Sequence, residues 1–152
     1  MIRRDRWEEA QRWLEQARWD VNAARRVREA ELYSLACFVS QQAAEKALKA
    51  YLFCQGLEVI REHSVGRLAK RAANYDPEFA QVKTWAALLD KYYIPTRYPN
   101  GLASGGIPAE AYDDQDAARA VELAEKLFGV VEAKLNALAS AVEPEEPEEP
   151  EE

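Results

Sequence analysis

SQQAAEKALKAYLFCQG, residues 40–56, decides how this chain folds. Gln42, Glu45 and Lys49 lie on a line that begins with Leu35 and Phe38 and ends at Leu52, at alternating steps of three and four. That is the period of an α-helix, not of a strand. Polar side chains on an otherwise apolar helical line must be paired, solvated or in use. Ala36, Ala43, Ala44, Ala47 and Ala50 are small enough to let neighbouring helices approach, so this is the expected central helix of a bundle. It should span about Glu31 to Gln55 and close at Gly56, a residue suited to the left-handed backbone just past a helix end.

Upstream, Trp7, Ala10, Leu14, Ala17, Val21 and Ala24 recur at steps of three and four, which predicts a first helix from near Asp5, its expected cap, to about Ala30. Trp13 and Trp19 fall off that stripe, as second-face core or as interface. Downstream, Ser64 is the N-cap of a short third helix reaching about Ala73. Asp76-Pro77 starts a fourth helix carrying Phe79, Val82, Ala86, Leu89 and Tyr93 on one face. Residues 94–112 hold three prolines and three glycines and read as a long irregular loop, a kind of segment that is usually functional or mobile. A final helix from Asp113–Asp116 to about Val142 carries Ala117, Val121, Ala124, Phe128, Val131, Leu135, Leu138 and Val142, widened by Leu123, Leu127 and Val130. No period-two run survives. The expected fold is an all-α, mostly antiparallel bundle of four main helices plus one short one, over residues 1–142.

At 152 residues the chain is one domain with room for a real core. Its net charge of −7 equals the seven glutamates of the tail EPEEPEEPEE, residues 143–152, so the folded part is neutral overall. That weakens any case for broad electrostatic binding of DNA but leaves room for a local basic patch. The Glu/Pro tail can bury no apolar surface and is expected to be disordered. Cys37 and Cys54 lie 17 residues apart on one predicted helix. They are thus roughly 25 Å apart, beyond the ~7 Å limit for a disulfide, and read as buried thiols in a reducing compartment. The beginning of the chain lacks the apolar run of a signal peptide, and no run reaches membrane-spanning length. The expectation is a cytoplasmic protein with no membrane partner.

His63 is the only histidine, and no spacing of carboxylates or thiols around it forms a metal site. Nor does any motif point to a cofactor; the glycines of GLASGG lack the Lys-Ser/Thr of a phosphate loop. Glu45 and Lys49 form an i,i+4 pair in the favourable order, worth ~0.2–0.5 kcal/mol if solvated. With Gln41, Gln42 and Lys46 they make either a solvated face or a working one. Arg97 lies in TRYP, flanked by Tyr92, Tyr93 and Tyr98. A guanidinium among tyrosines suits phosphate contact with base stacking. It also suits a loop anchor, with Arg97 paired to Glu45 or another carboxylate.

Three fragments in order, QQAAEKALKAYL (41–52), His63-Ser64 with Leu68, and YYIPTRYP (92–99), followed by the last long helix, resemble the HEPN family over about Trp7 to Leu135. The resemblance implies a helical bundle, commonly dimeric. It also implies a nucleotide-binding or partner-binding role, often beside a minimal nucleotidyltransferase in toxin–antitoxin-type pairs. The residues it singles out are Arg97, Tyr98, Lys46, Lys49 and His63. Many family members are ribonucleases with Arg, four to six residues, then His. Here Leu102, Ala103 and Ser104 occupy the positions for that His after Arg97, and Gly56, Leu57 and Glu58 the positions for an Arg before His63. The expected role is therefore non-catalytic, with homodimerisation. A divergent ribonuclease and a purely structural interaction protein stay open as alternatives.

Overall fold

The computed structural model describes residues 1–151, and every regular element in them is helical. Helix α1 spans Arg4–Glu29 and α2 Tyr33–Cys54. Cross-contacts pair Arg6 with Gly56, Trp13 with Phe53, and Asp20 with Lys46, so the two helices run antiparallel. Helix α3 is Val65–Ala73, followed by a 3-10 segment Pro77–Val82, α4 (Lys83–Asp90) and a short α5 (Pro108–Ala111). Helix α6, Asp114–Leu138, is tied to α1 by Arg18–Glu132, Arg25–Glu125 and Arg28–Asp114. This order makes α6 antiparallel to α1 and parallel to α2, the chain having returned through α3 and α4.

Helix α2 is the buried centre: 15 of its 22 residues are buried, and all five alanines are fully so. Its end follows from local chemistry. Gly56 adopts φ 99°, its N–H donates to the Phe53 carbonyl at 3.0 Å, and the Leu57 N–H reaches back to Leu52 at 3.3 Å. This paired closure satisfies carbonyls the helix leaves open. The Arg6 guanidinium lies 2.7 Å from where a Cβ on Gly56 would sit, so a side chain there would meet both strain and a clash.

Ser64 caps α3 by accepting from the Arg67 N–H, and Asp76 caps the 3-10 segment by accepting from Glu78. Asp113 and Asp116 exchange reciprocal hydrogen bonds at the start of α6. Both cysteines are buried free thiols, and burial pushes the Cys37 thiol up to about 12.

Several expectations need correcting. Asp5 does not cap α1; Arg3 holds the cap position, and Asp5 sits inside the first turn. A turn separates α1 from α2, with Glu31 at φ 64°, left-handed although it is not glycine. The fourth helix is divided: Pro77 to Val82 winds as 3-10, and the α-helix begins only at Lys83 and ends before Tyr93. The Pro99–Gly101 turn and α5 interrupt the 94–112 loop. In α6, Leu123 and Leu127 are buried within the chain and Val130 packs against that core.

The last helix ends at Leu138, a 3-10 turn covers Ala139–Ala141, and the chain then meets its own beginning. Ile2 and Val142 bridge, the Glu143 N–H donates to Ile2 O at 2.8 Å, and Arg4 pairs with Glu145 at 2.6 Å. No helix of the described residues is long and apolar enough to cross a membrane.

Candidate functional site

Phe38, Gln42, Glu45 and Lys49 line one side of α2, and three other segments are laid over that line. The first is the connection to α3, which carries His63. The Gln41 amide donates to the His63 carbonyl at 3.1 Å, and Gln42 donates to the Gln41 side-chain oxygen at 2.7 Å. The Glu62 carboxylate accepts the backbone N–H groups of His63 and Ser64 and pairs with Arg67 at 2.8 Å. The Arg67 guanidinium and then the Ser64 N–H hold the Glu62 carboxyl down to about 2.

The second segment is the end of α4. Asp90 accepts from Ser64 Oγ and from the Val65 and Gly66 N–H groups, so a carboxylate of this chain already fills the positive end of α3. Three residues on, Tyr93 stacks its ring on His63 with centroids 5.6 Å apart and planes 13° apart.

The third is the 94–112 loop. Thr96 is buried, with its hydroxyl donated to the Tyr92 carbonyl. This brings Arg97 over three rings: Phe38 at 4.4 Å, Tyr93 at 4.7 Å and Tyr98 at 5.0 Å. Its Nε donates to the Tyr93 carbonyl at 2.9 Å. Among the described residues no carboxylate pairs with Arg97, so the expected Arg97–Glu45 anchor is not formed. Glu45 is otherwise engaged: Oε2 lies 3.3 Å from Lys49 Nζ, and Oε1 lies 3.2 Å from His63 Nδ1.

The Glu45–Lys49 pair is not a solvated one, since both residues are 4% exposed. Lys49 also lies 5.8 Å from the Trp13 ring. His63 is more than half exposed at its side chain. An Nδ1–H donated to Glu45 leaves Nε2 as the free ring nitrogen, so the carboxylate sets the orientation of the imidazole.

Of the five residues singled out from sequence, Arg97, Tyr98 and His63 share one outer face, and Lys49 lies beneath it. Lys46 does not join them. It pairs with Asp20 of α1 at 2.6 Å and lines a groove of about 810 Å³ with Trp13 and Trp19. The grooves along α1 include none of Arg97, Tyr98 or His63. Phe38, and Glu45 as the partner of His63, escaped sequence reasoning as site residues, whereas Tyr93 was noted only as a flank of Arg97. The α2 stripe pointed to Phe38 and Glu45; nothing local pointed to the Tyr93–His63 stack. No group of three or more His, Cys, Asp or Glu side chains among the described residues could hold a metal ion.

The family profile described as HEPN domain matches residues 10–134. The chain belongs to the HEPN family. Among solved structures, this HEPN chain is similar to TT1696 from Thermus thermophilus, with 38% identity over 83% of this chain and 98% of that one, TM-score 0.72. It is also similar to ST0689, an archaeal HEPN homologue, with 36% identity over 84% and 98% of the two chains, TM-score 0.69. A third similar structure is the HEPN domain protein TM0613 from Thermotoga maritima, with 30% identity over 82% and 98%, TM-score 0.65. No curated protein matches the sequence.

Proposed function

We propose that this HEPN domain is a non-catalytic nucleotide-binding module that works with a minimal nucleotidyltransferase partner in a toxin–antitoxin-type pair. One observation carries the nucleotide part: the Arg97 guanidinium sits at the surface among Phe38, Tyr93 and Tyr98, and among the described residues no carboxylate neutralises it. Such an arrangement offers donors to a phosphate while the exposed Tyr98 ring stacks on a base. The partner part rests on membership of the HEPN family. It is tested by co-purifying the protein with the product of an adjacent nucleotidyltransferase reading frame. Failure of the two to associate would remove it.

Calorimetric titration with ATP tests the nucleotide reading. Wild type binds; Arg97→Ala loses binding while its melting curve stays in place. No binding by wild type would end the reading.

A second reading has its own observation. Arg97 bonds the Tyr93 carbonyl and covers the Phe38 ring, which holds the loop on α2. On that reading Arg97→Ala lowers the melting temperature instead. Homodimerisation is supported by Trp19, 72% exposed on α1 between grooves of about 810 and 540 Å³. Sedimentation equilibrium giving a monomer mass would exclude it.

A further inference from the structure

We infer that α1 is the surface through which a second copy of this chain binds, the two α1 helices lying antiparallel with the Trp19 of each seated in the Trp13 groove of the other. The inference rests on the homodimer reading above and names its interface. Trp19 lies on the side of α1 away from the buried Ala10, Leu14, Ala17, Val21 and Ala24, and it is 72% exposed. Tryptophan is among the side chains that most often anchor interfaces. On one side of it is the groove of about 810 Å³, whose lining includes Glu9, Arg12, Trp13 and Gln16. On the other is the groove of about 540 Å³, whose lining includes Asn22, Ala23 and Arg26.

The two grooves fit each other. Closed homodimers are built on a two-fold axis, which brings residue i of one copy to residue j of the other and j to i. An axis crossing α1 midway between Gln16 and Trp19 exchanges the grooves. Trp19 then meets the partner's Gln16, beside the partner's Trp13. Ala23, whose side chain is a single methyl, leaves room for the partner's Arg12. Arg26, two turns beyond Trp19, reaches the partner's Glu9, which lies two turns before the partner's Gln16.

Charge decides this register. Arg12, Arg18, Arg25 and Arg28 all pair with carboxylates of their own chain, whereas no carboxylate among the described residues pairs with Arg26. Glu9 is held from its own helix: the Trp13 Nε1–H donates to its Oε1 at 3.0 Å and Arg12 to its Oε2 at 2.9 Å. Its side chain is still 40% exposed, open to a second cation. Setting Trp19 directly on the partner's Trp19 would instead bring Arg12 against the partner's Arg26, two like charges. Neither groove includes Arg97, Tyr98 or His63, so the contact leaves the candidate site open in both copies.

The test is sedimentation equilibrium of the full chain at micromolar concentration and low salt, where exposed charges are least screened. Wild type should give the dimer mass. Trp19→Ala should give the monomer mass with an unchanged helical circular dichroism spectrum, because the indole is exposed in the single chain. Glu9→Arg alone and Arg26→Glu alone each place two like-charge pairs across the axis and should weaken dimerisation by at least about tenfold. An equimolar mixture of these two variants should recover the dimer, since both charge contacts of the mixed pair again join opposite signs. Arg97→Ala should leave the dimer mass unchanged.

A wild-type dimer that survives Trp19→Ala would place the contact on another face and overturn the inference while leaving homodimerisation intact. So would a mixture that stays as dissociated as its two components, or a dimer lost in Arg97→Ala. A wild-type monomer would remove homodimerisation itself, and this interface with it.

Discussion

Replacing Lys49 by Met tests the buried polar core beneath the candidate site. The ammonium lies 3.3 Å from Glu45 Oε2, with side-chain exposures of 5% and 6%. A solvated pair of this spacing contributes ~0.3–0.5 kcal/mol, whereas removing one member of a buried pair costs ~3–5 kcal/mol because the other charge is left without compensation. Met keeps most of the lysine stem, so little cavity energy enters. Glu45 would retain His63 as a partner, which places the expected loss near ~3 kcal/mol, the lower end of that range. For a domain of this size that corresponds to a fall of about 6–12 °C in melting temperature.

Urea denaturation at neutral pH reads the loss directly, with an unchanged slope as the control for two-state behaviour. The double variant Glu45→Leu/Lys49→Met removes both charges and should recover most of the loss, giving a coupling above ~2 kcal/mol. A loss below ~1 kcal/mol for Lys49→Met would mean that the pair is solvated, and the reasoning from burial would fail.

Glu31→Gly should raise stability by about 1 kcal/mol, since Glu31 holds a left-handed backbone that disfavours a Cβ; an unchanged urea midpoint would contradict this. The Glu62 carboxyl is lowered from 4.5 to about 2, chiefly by Arg67, so its contribution is fully present above 4.5 and is lost as pH falls through about 2. Arg67→Ala should therefore lower stability at neutral pH and flatten its decline in that acid window; an unaltered acid profile would refute the assignment. Truncation after Glu145 keeps the Ile2–Val142 bridge and the Arg4–Glu145 pair and should leave the melting temperature unchanged. Truncation after Ala141 removes both and should cost a few degrees, and equal melting temperatures for the two truncations would show that the contact of the chain ends contributes nothing.

The helices were legible because apolar side chains repeat with the helical period, and their ends were legible where one residue carries the signal. Gly56 closes α2 and Ser64 opens α3 as their chemistry requires. What sequence could not supply is which segment crosses which. Asp90 sits at the start of α3, 26 positions from Ser64, and no local pattern announces it. The α2 stripe showed that Glu45 and Lys49 needed partners or water, but not that the α1 Trp13 ring and His63 would take the place of water. The 3-10 winding of Pro77–Val82 escaped because its apolar residues also fit an α-helical face. Arg97 was legible as a residue of interest from its tyrosines, yet its actual contacts include Phe38, 59 positions earlier in the chain.

The central claim is that Arg97 is an available charge and not merely a fastening for the loop. Its most direct test joins two readings on one variant, ATP affinity and melting temperature for Arg97→Ala beside wild type. The account predicts loss of binding by a charge-assisted hydrogen bond, ~1.5–3 kcal/mol or roughly 10- to 150-fold, with the melting temperature held. A lowered melting temperature together with no binding by the wild-type protein would contradict it.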